Sequence, residues 1–174
     1  WTPREWAIVS NTDMLEPPHP PVETKGAVTV DSQWKDGLWK SSFPETVPIS
    51  TYVFAFAAGD FKEFRDSNSE QAGNEIAAEK SKLGMRDDRG NVEVLMTEIR
   101  RKVSRIYVRK SQAEKFKQHE KEVFRLNREG VKFLEGYFDY KFPFPKYDLV
   151  LIPEFPFGGM EHAGATFLRE ASII

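Results

Sequence analysis

The sequence predicts an α+β chain in which antiparallel β-structure comes first and is followed by strands and one long helix. Three observations predict it. Short β-rich runs separated by prolines fill the first third. A helical apolar period runs from Ser111 to about Tyr140. A nearly continuous apolar run then follows at Tyr147-Asp148-Leu149-Val150-Leu151-Ile152. The 174 residues, 40 % hydrophobic and 13 % aromatic, supply a core for one domain or for parts of two.

Taken in order, Ala7-Ile8-Val9 and Val28-Thr29-Val30 are strand candidates, and Pro17, Pro18, Pro20 and Pro21 between them exclude helix and mark a loop. Trp39 to Phe43 and Ile49 to Phe56 read as two further strands, with Pro44 and Pro48 confining their connection to a turn or an edge. Antiparallel β-structure is expected to about Phe64. Arg65 to Asn91 is polar and contains DSNSEQAGNE and RDDRGN, which reads as a surface insertion or linker with a helical turn or two around Glu75 to Leu83. Val92 to Ile99 and Val103 to Val108 alternate as strands do, with a solvated turn at Arg100 to Lys102.

The helix is expected to open on a capping box, Ser111 with Glu114 three residues later. Phe116, Val123, Val131, Leu134 and Phe138 recur at helical spacing to make its apolar face, which Gly130 and Gly136 weaken modestly. Phe142-Pro143-Phe144-Pro145 stops it. The run from Tyr147 to Ile152 has the composition of a strand buried on both faces, and Phe142, Phe144, Phe155 and Phe157 read as core contacts.

Charge and composition exclude several function classes. Twenty-five basic against 27 acidic residues give a net charge of −2, so no basic footprint for a nucleic acid is present. The longest apolar candidate, YVFAFAAG, falls far short of the roughly 18 to 20 residues of a membrane helix. The absence of cysteine excludes disulfides and thiolate metal ligation and fits cytosolic and exported proteins equally. Both ends, Trp1-Thr2-Pro3 and Ala171-Ser172-Ile173-Ile174, read as cut from a longer chain, and the last two apolar residues face no evident partner.

His119-Glu120 invites comparison with HExxH, where two imidazoles one helical turn apart hold zinc, but Val123 stands at the second ligand position. His19, His119 and His162 show no ligand spacing, and no GxSxG, Walker or GxGxxG motif is present. The informative stretch is FPFGGMEHAGATFLRE, Phe155 to Glu170. Its Gly158 and Gly159 suit a strand edge that leaves backbone groups open to an extended peptide, with Glu161 placed to meet a cation; a glycine turn carrying a surface glutamate is the other reading.

GGMEH resembles the GxMEN motif of the M1 family of zinc aminopeptidases. Trp39-Lys40-Ser41-Ser42-Phe43, Thr46 to Tyr52 and Ala58-Gly59-Asp60-Phe61 resemble the tract closing that family's N-terminal β-domain, and Tyr147-Asp148-Leu149-Val150 with Pro153 and Phe155 resembles its lead-in to GxMEN. The resemblance implies the end of that β-domain over residues 1–64, a polar insertion or linker over 65–91, and the start of a thermolysin-like catalytic domain over 92–174, ending before HExxH. It implies a peptide substrate with a free N-terminus, whose α-amino group Glu161 holds. Gly158 and Gly159 would bind the substrate main chain, Met160 would shape the first-residue pocket, and His162 stands where the family has asparagine. It also implies zinc in the longer enzyme, with no zinc ligand and no catalytic residue among these residues. The alternative is a non-catalytic M1-like scaffold or peptide-binding module, and the two part on whether the longer protein carries HExxH.

Overall fold

The computed structural model describes residues 1–15, 38–68 and 104–174, with short pieces at 23–24, 27–28 and 34–35 and single positions 71, 78 and 82. The expected strand over Val92 to Ile99, the turn at Arg100 to Lys102, the proline loop with His19 and, single positions apart, the helical turns around Glu75 to Leu83 lie outside the described residues.

Strands β1 (Thr2–Pro3), β5 (Trp34–Lys35) and β6 (Leu38–Trp39) form a small antiparallel sheet in the order β1-β6-β5. Strand β2 (Ala7–Ser10) pairs antiparallel with β7 (Phe56–Gly59), and β3 (Glu23–Thr24) with β4 (Ala27–Val28). The expectation of antiparallel pairing in this region holds for these strands, but two of its boundaries do not. The strand expected over Trp39 to Phe43 ends at Trp39. Within Ile49 to Phe56 the chain instead forms a 3₁₀ turn at Thr51–Val53, whose first N–H groups are met by Ser50: its Oγ accepts from Tyr52 N–H at 3.3 Å. β-rich composition alone does not separate a strand from a capped turn that Pro48 has already set off from the preceding chain.

The main sheet has five strands in the order β11-β12-β10-β9-β8: β8 (Phe61–Arg65), β9 (Arg105–Arg109), β10 (Asp148–Ile152), β11 (Gly159–Met160) and β12 (Ala165–Arg169). Strand β10 lies parallel to both β9 and β12, whereas β8 and β11 are antiparallel to their neighbours. The parallel step from β9 to β10 needs a crossover, which the helices provide. Because β10 is interior and covered on both sides, alternate residues feed two cores. Leu149 and Leu151 join Ile106, Val108, Phe64, Phe116 and Phe124 on the helical side, while Val150 joins Tyr107, Val9, Ala55, Ala57, Ala165 and Phe167 on the other. Ile173 and Ile174 pack against the first of these cores, which corrects the expectation that they face no partner.

The helical region differs from one continuous helix. Residues 110–112 form a 3₁₀ turn, α1 spans Ala113–Phe116 and α2 spans Glu120–Phe138. Between them, i→i−3 bonds from Gln118 N–H to Lys115 O and from His119 N–H to Phe116 O tighten the chain. No side chain caps α1, so the Ser111 capping box is not formed. Helix α2 ends at Asp139, whose left-handed conformation (φ 49°) and a bond from Tyr140 N–H to Glu135 O at 3.1 Å close it before the prolines.

Only the first half of the expected apolar face is covered. Phe116 is buried and Val123 and Val131 are half-buried, but Leu134 and Phe138 are 50 % and 67 % exposed; the fully buried Phe124 is a helix position outside the expected set. The reason is length: a helix of 19 residues is about 28 Å long and the five-residue β10 about 16 Å, so the end of α2 projects past the sheet.

Candidate functional site

Strand β11 forms one edge of the main sheet, and the loop 161–164 joins it to β12 as a hairpin with Gly159 opposite Leu168 and Met160 opposite Phe167. Gly159 sits in a tight space: a Cβ there would lie 2.9 Å from Leu168 Cδ2, whose side chain would have to move, and 3.3 Å from the Phe167 carbonyl oxygen. Gly158 faces open space, and its carbonyl accepts from Arg169 N–H at 3.0 Å. Arg169 also donates through Nε to the Phe155 carbonyl at 2.7 Å, fixing the approach to β11. Strand β12 stands between this edge and β10.

Glu161 is exposed at the first position of the hairpin loop. Its Oε1 accepts a hydrogen bond from the Tyr52 phenol at 3.2 Å. The negative charge of Glu161, and then this hydrogen bond, raise the Tyr52 pKa above that of an ordinary phenol, so Tyr52 remains a donor at neutral pH.

Tyr52 reaches this position because its turn is tied to the far side of the loop. Buried Asn11, at the end of β2, donates from Nδ2 to the carbonyls of Val53 (2.9 Å) and Ala163 (2.8 Å) and accepts from Ala55 N–H at Oδ1 (2.9 Å). Ala163 N–H donates directly to Val53 O at 3.1 Å. Residues 53 and 163 are thus joined through one carboxamide and one backbone bond.

Gly164 completes the loop at φ +70°. A Cβ there would meet the Asn11 carbonyl oxygen at 2.7 Å and that of Lys146 at 3.2 Å, so both the conformation and the space demand glycine. Its carbonyl accepts from Lys146 Nζ at 3.1 Å. Lys146 also donates to Asp148 Oδ2 at 2.7 Å, and Arg105 donates through Nε to Asp148 Oδ1 at 2.9 Å and pairs with Asp13. This two-cation, two-anion cluster lies beneath the hairpin loop. Burial lowers the Lys146 pKa and Asp148 opposes that shift.

His162 follows Glu161 but does not join it at the lip. Its ring packs edge-on against Phe167, centroids 4.5 Å apart, and its Nδ1 is buried without a hydrogen-bond partner among the described residues. Burial lowers its pKa, with Glu161 pulling the other way. His119 is exposed at the start of α2. No group of three or more His, Cys, Asp or Glu able to hold a metal occurs among the described residues.

Beside Glu161 and His162 opens an apolar cleft of about 480 Å³ walled by Leu134, Phe138, Phe142 and Phe144; Met160, half-buried on β11, does not line it. Of the five residues singled out from the sequence, Gly158, Gly159, Met160 and Glu161 lie along one edge and its tip, while His162 turns toward Phe167. A strand edge with no partner strand among the described residues, ending in a hydrogen-bonded carboxylate, can take an extended chain by backbone pairing and a cation by charge. Sequence reading missed Tyr52 and Asn11 as parts of this site. Asn11 bonds a residue 152 positions away, a relation that no local pattern carries.

Residues 123–174 match the Peptidase family M1 domain. Over 171 residues, 98 % of this chain and 14 % of the relative, the chain is 29 % identical to the aminopeptidase N of Streptomyces lividans. It is 26 % identical to the glutamyl aminopeptidase of Rattus norvegicus over 99 % of the chain and 13 % of that protein, and 27 % identical to the endoplasmic reticulum aminopeptidase 1 of Mus musculus over 80 % of the chain and 11 % of that protein. The chain therefore spans about one seventh or less of the length of these curated relatives.

Proposed function

We propose, from the chain's membership of the M1 aminopeptidase family, that it is the part of a longer zinc aminopeptidase in which Glu161 holds the free α-amino group of a peptide substrate. The single observation carrying this reading is the Glu161 carboxylate held by Tyr52 at the tip of β11, the edge strand of the main sheet among the described residues. In the proposal the edge at Gly158 and Gly159 pairs with the substrate main chain, Met160 borders the first-residue pocket, and His162 shapes that end of the cleft from its place on Phe167. Residues 1–64 close a β-domain, 65–91 are a linker or insertion, and 92–174 begin the catalytic domain; the first boundary runs through β8.

The described residues do not offer a zinc site, so zinc in this reading is held elsewhere in the longer protein and no step here runs through it. These 174 residues alone are expected to turn over no substrate. What they contribute is selection. A peptide ammonium entering the cleft loses hydration, and a fixed carboxylate offsets that loss through a charge-assisted hydrogen bond.

The test compares free and N-acetylated peptides in the full-length protein and its Glu161→Ala variant. The variant should lose kcat/KM selectively on free peptides. Equal proportional losses on both substrates would assign Glu161 to folding and remove the amine reading.

A further inference from the structure

We infer that Tyr52 is a positioning residue for the Glu161 carboxylate, and that Asn11 sets the distance between them. This rests on the reading of Glu161 as the amine anchor and adds what fixes that anchor. An exposed glutamate at the start of a hairpin loop has several rotamers, and binding an ammonium through it costs the entropy of choosing one. The hydrogen bond from the Tyr52 phenol engages Oε1 and leaves Oε2 for a ligand.

Packing does not explain the phenol's position, because Tyr52 is 62 % exposed. Its backbone is what the fold holds. The adjacent Val53 carbonyl takes bonds from both Asn11 Nδ2 and Ala163 N–H, and Asn11 grips Ala163 as well, on the loop that carries Glu161. The phenol and the carboxylate are therefore mounted on two segments joined one and two residues away. The raised pKa of Tyr52, caused first by the Glu161 charge, keeps the donor proton in place through neutral and mildly alkaline pH.

The experiment is a double-mutant cycle in the full-length protein, Tyr52→Phe and Glu161→Ala singly and together, assayed on a free peptide and its N-acetylated form. Tyr52→Phe should lower kcat/KM on the free peptide roughly 2- to 12-fold, the range of one net hydrogen bond, mainly through KM, and leave the acetylated peptide unaffected. It should cost nothing further in the Glu161→Ala background. No loss in the single variant, or the same loss in both backgrounds, would overturn the positioning role. Failure of the underlying amine reading looks different, since Glu161→Ala would then affect both substrates alike.

A second measurement needs no turnover. The phenol signal removed by Tyr52→Phe should titrate above the ordinary tyrosine range in the wild type and fall back toward it in Glu161→Gln, which removes the charge and keeps the shape. An unchanged titration would refute the contact itself.

Discussion

Asn11 and Glu161 lie on one hydrogen-bonded path in opposite surroundings. Asn11 is 3 % exposed, with both ends of its carboxamide bonded to backbone, whereas Glu161 is exposed and holds a single phenol. Beneath the hairpin loop the cluster of Lys146, Asp148, Arg105 and Asp13 belongs with Asn11; above it Tyr52 and the β11 edge belong with Glu161. The buried groups set geometry, at a high cost if one partner is lost. The exposed groups contribute little to folding and are free to act on a ligand. In the proposed reading, stability and recognition are thus separated by a few residues of one loop, and substitutions on its two sides should separate them again.

The largest expected effect is beneath the loop. Asp148→Ala leaves Lys146 and Arg105 as buried cations with one carboxylate, Asp13, between them, and should destabilise the chain by about 3 to 5 kcal/mol in denaturant titration. A loss under about 1 kcal/mol would break the comparison at its buried end. Asn11→Ala should cost about 2 to 3 kcal/mol, because it strands the Ala55 N–H and removes one bond from each of two carbonyls.

A pH series sharpens the boundary between the two regions at His162. Its folded-state pKa lies below the usual 6.5, so folding favours the neutral ring. The associated stability is complete above about pH 6.5 and is lost as pH falls through the lower folded value. Wild type should therefore lose more stability than His162→Asn between pH 7.5 and 5 in matched denaturant titrations; parallel curves would show that the ring is not desolvated. Smallest of all, Glu161→Gln should shift stability by no more than about 0.5 kcal/mol, as an exposed substitution does.

How far the sequence anticipates this arrangement depends on the range of the interaction. Strand β10 is legible because burial on both faces forces a continuous apolar run, and Phe116 and Val123 are legible as helix positions facing a core. Residues 158–161 are legible because glycine and glutamate types carry the edge and the charge locally. Strand β12, with buried Ala165 and Phe167, escaped because it is only five residues long and the loop before it, Glu161-His162-Ala163-Gly164, signals a turn through one glycine alone. The Thr51–Val53 turn was hidden by strand-like composition, and the exposed end of α2 by a periodicity that continues past the sheet it packs on. Asn11 and Tyr52 act only through partners more than 40 residues away, which local patterning does not encode.

In the proposed function Glu161 reads the substrate's ammonium. An exposed ion pair is worth about 0.2 to 1 kcal/mol, whereas truncating one partner of a desolvated pair costs about 2 to 5 kcal/mol, so the size of the effect also reports whether the cleft is closed in the longer protein. The most direct measurement is calorimetric binding of a peptide and its desamino analogue, which lacks the ammonium without added bulk, to the full-length protein and to Glu161→Ala. The wild type should bind the peptide at least about 30-fold more tightly than the analogue, and the variant should bind the two nearly alike. The same ratio in both proteins would contradict this role of Glu161.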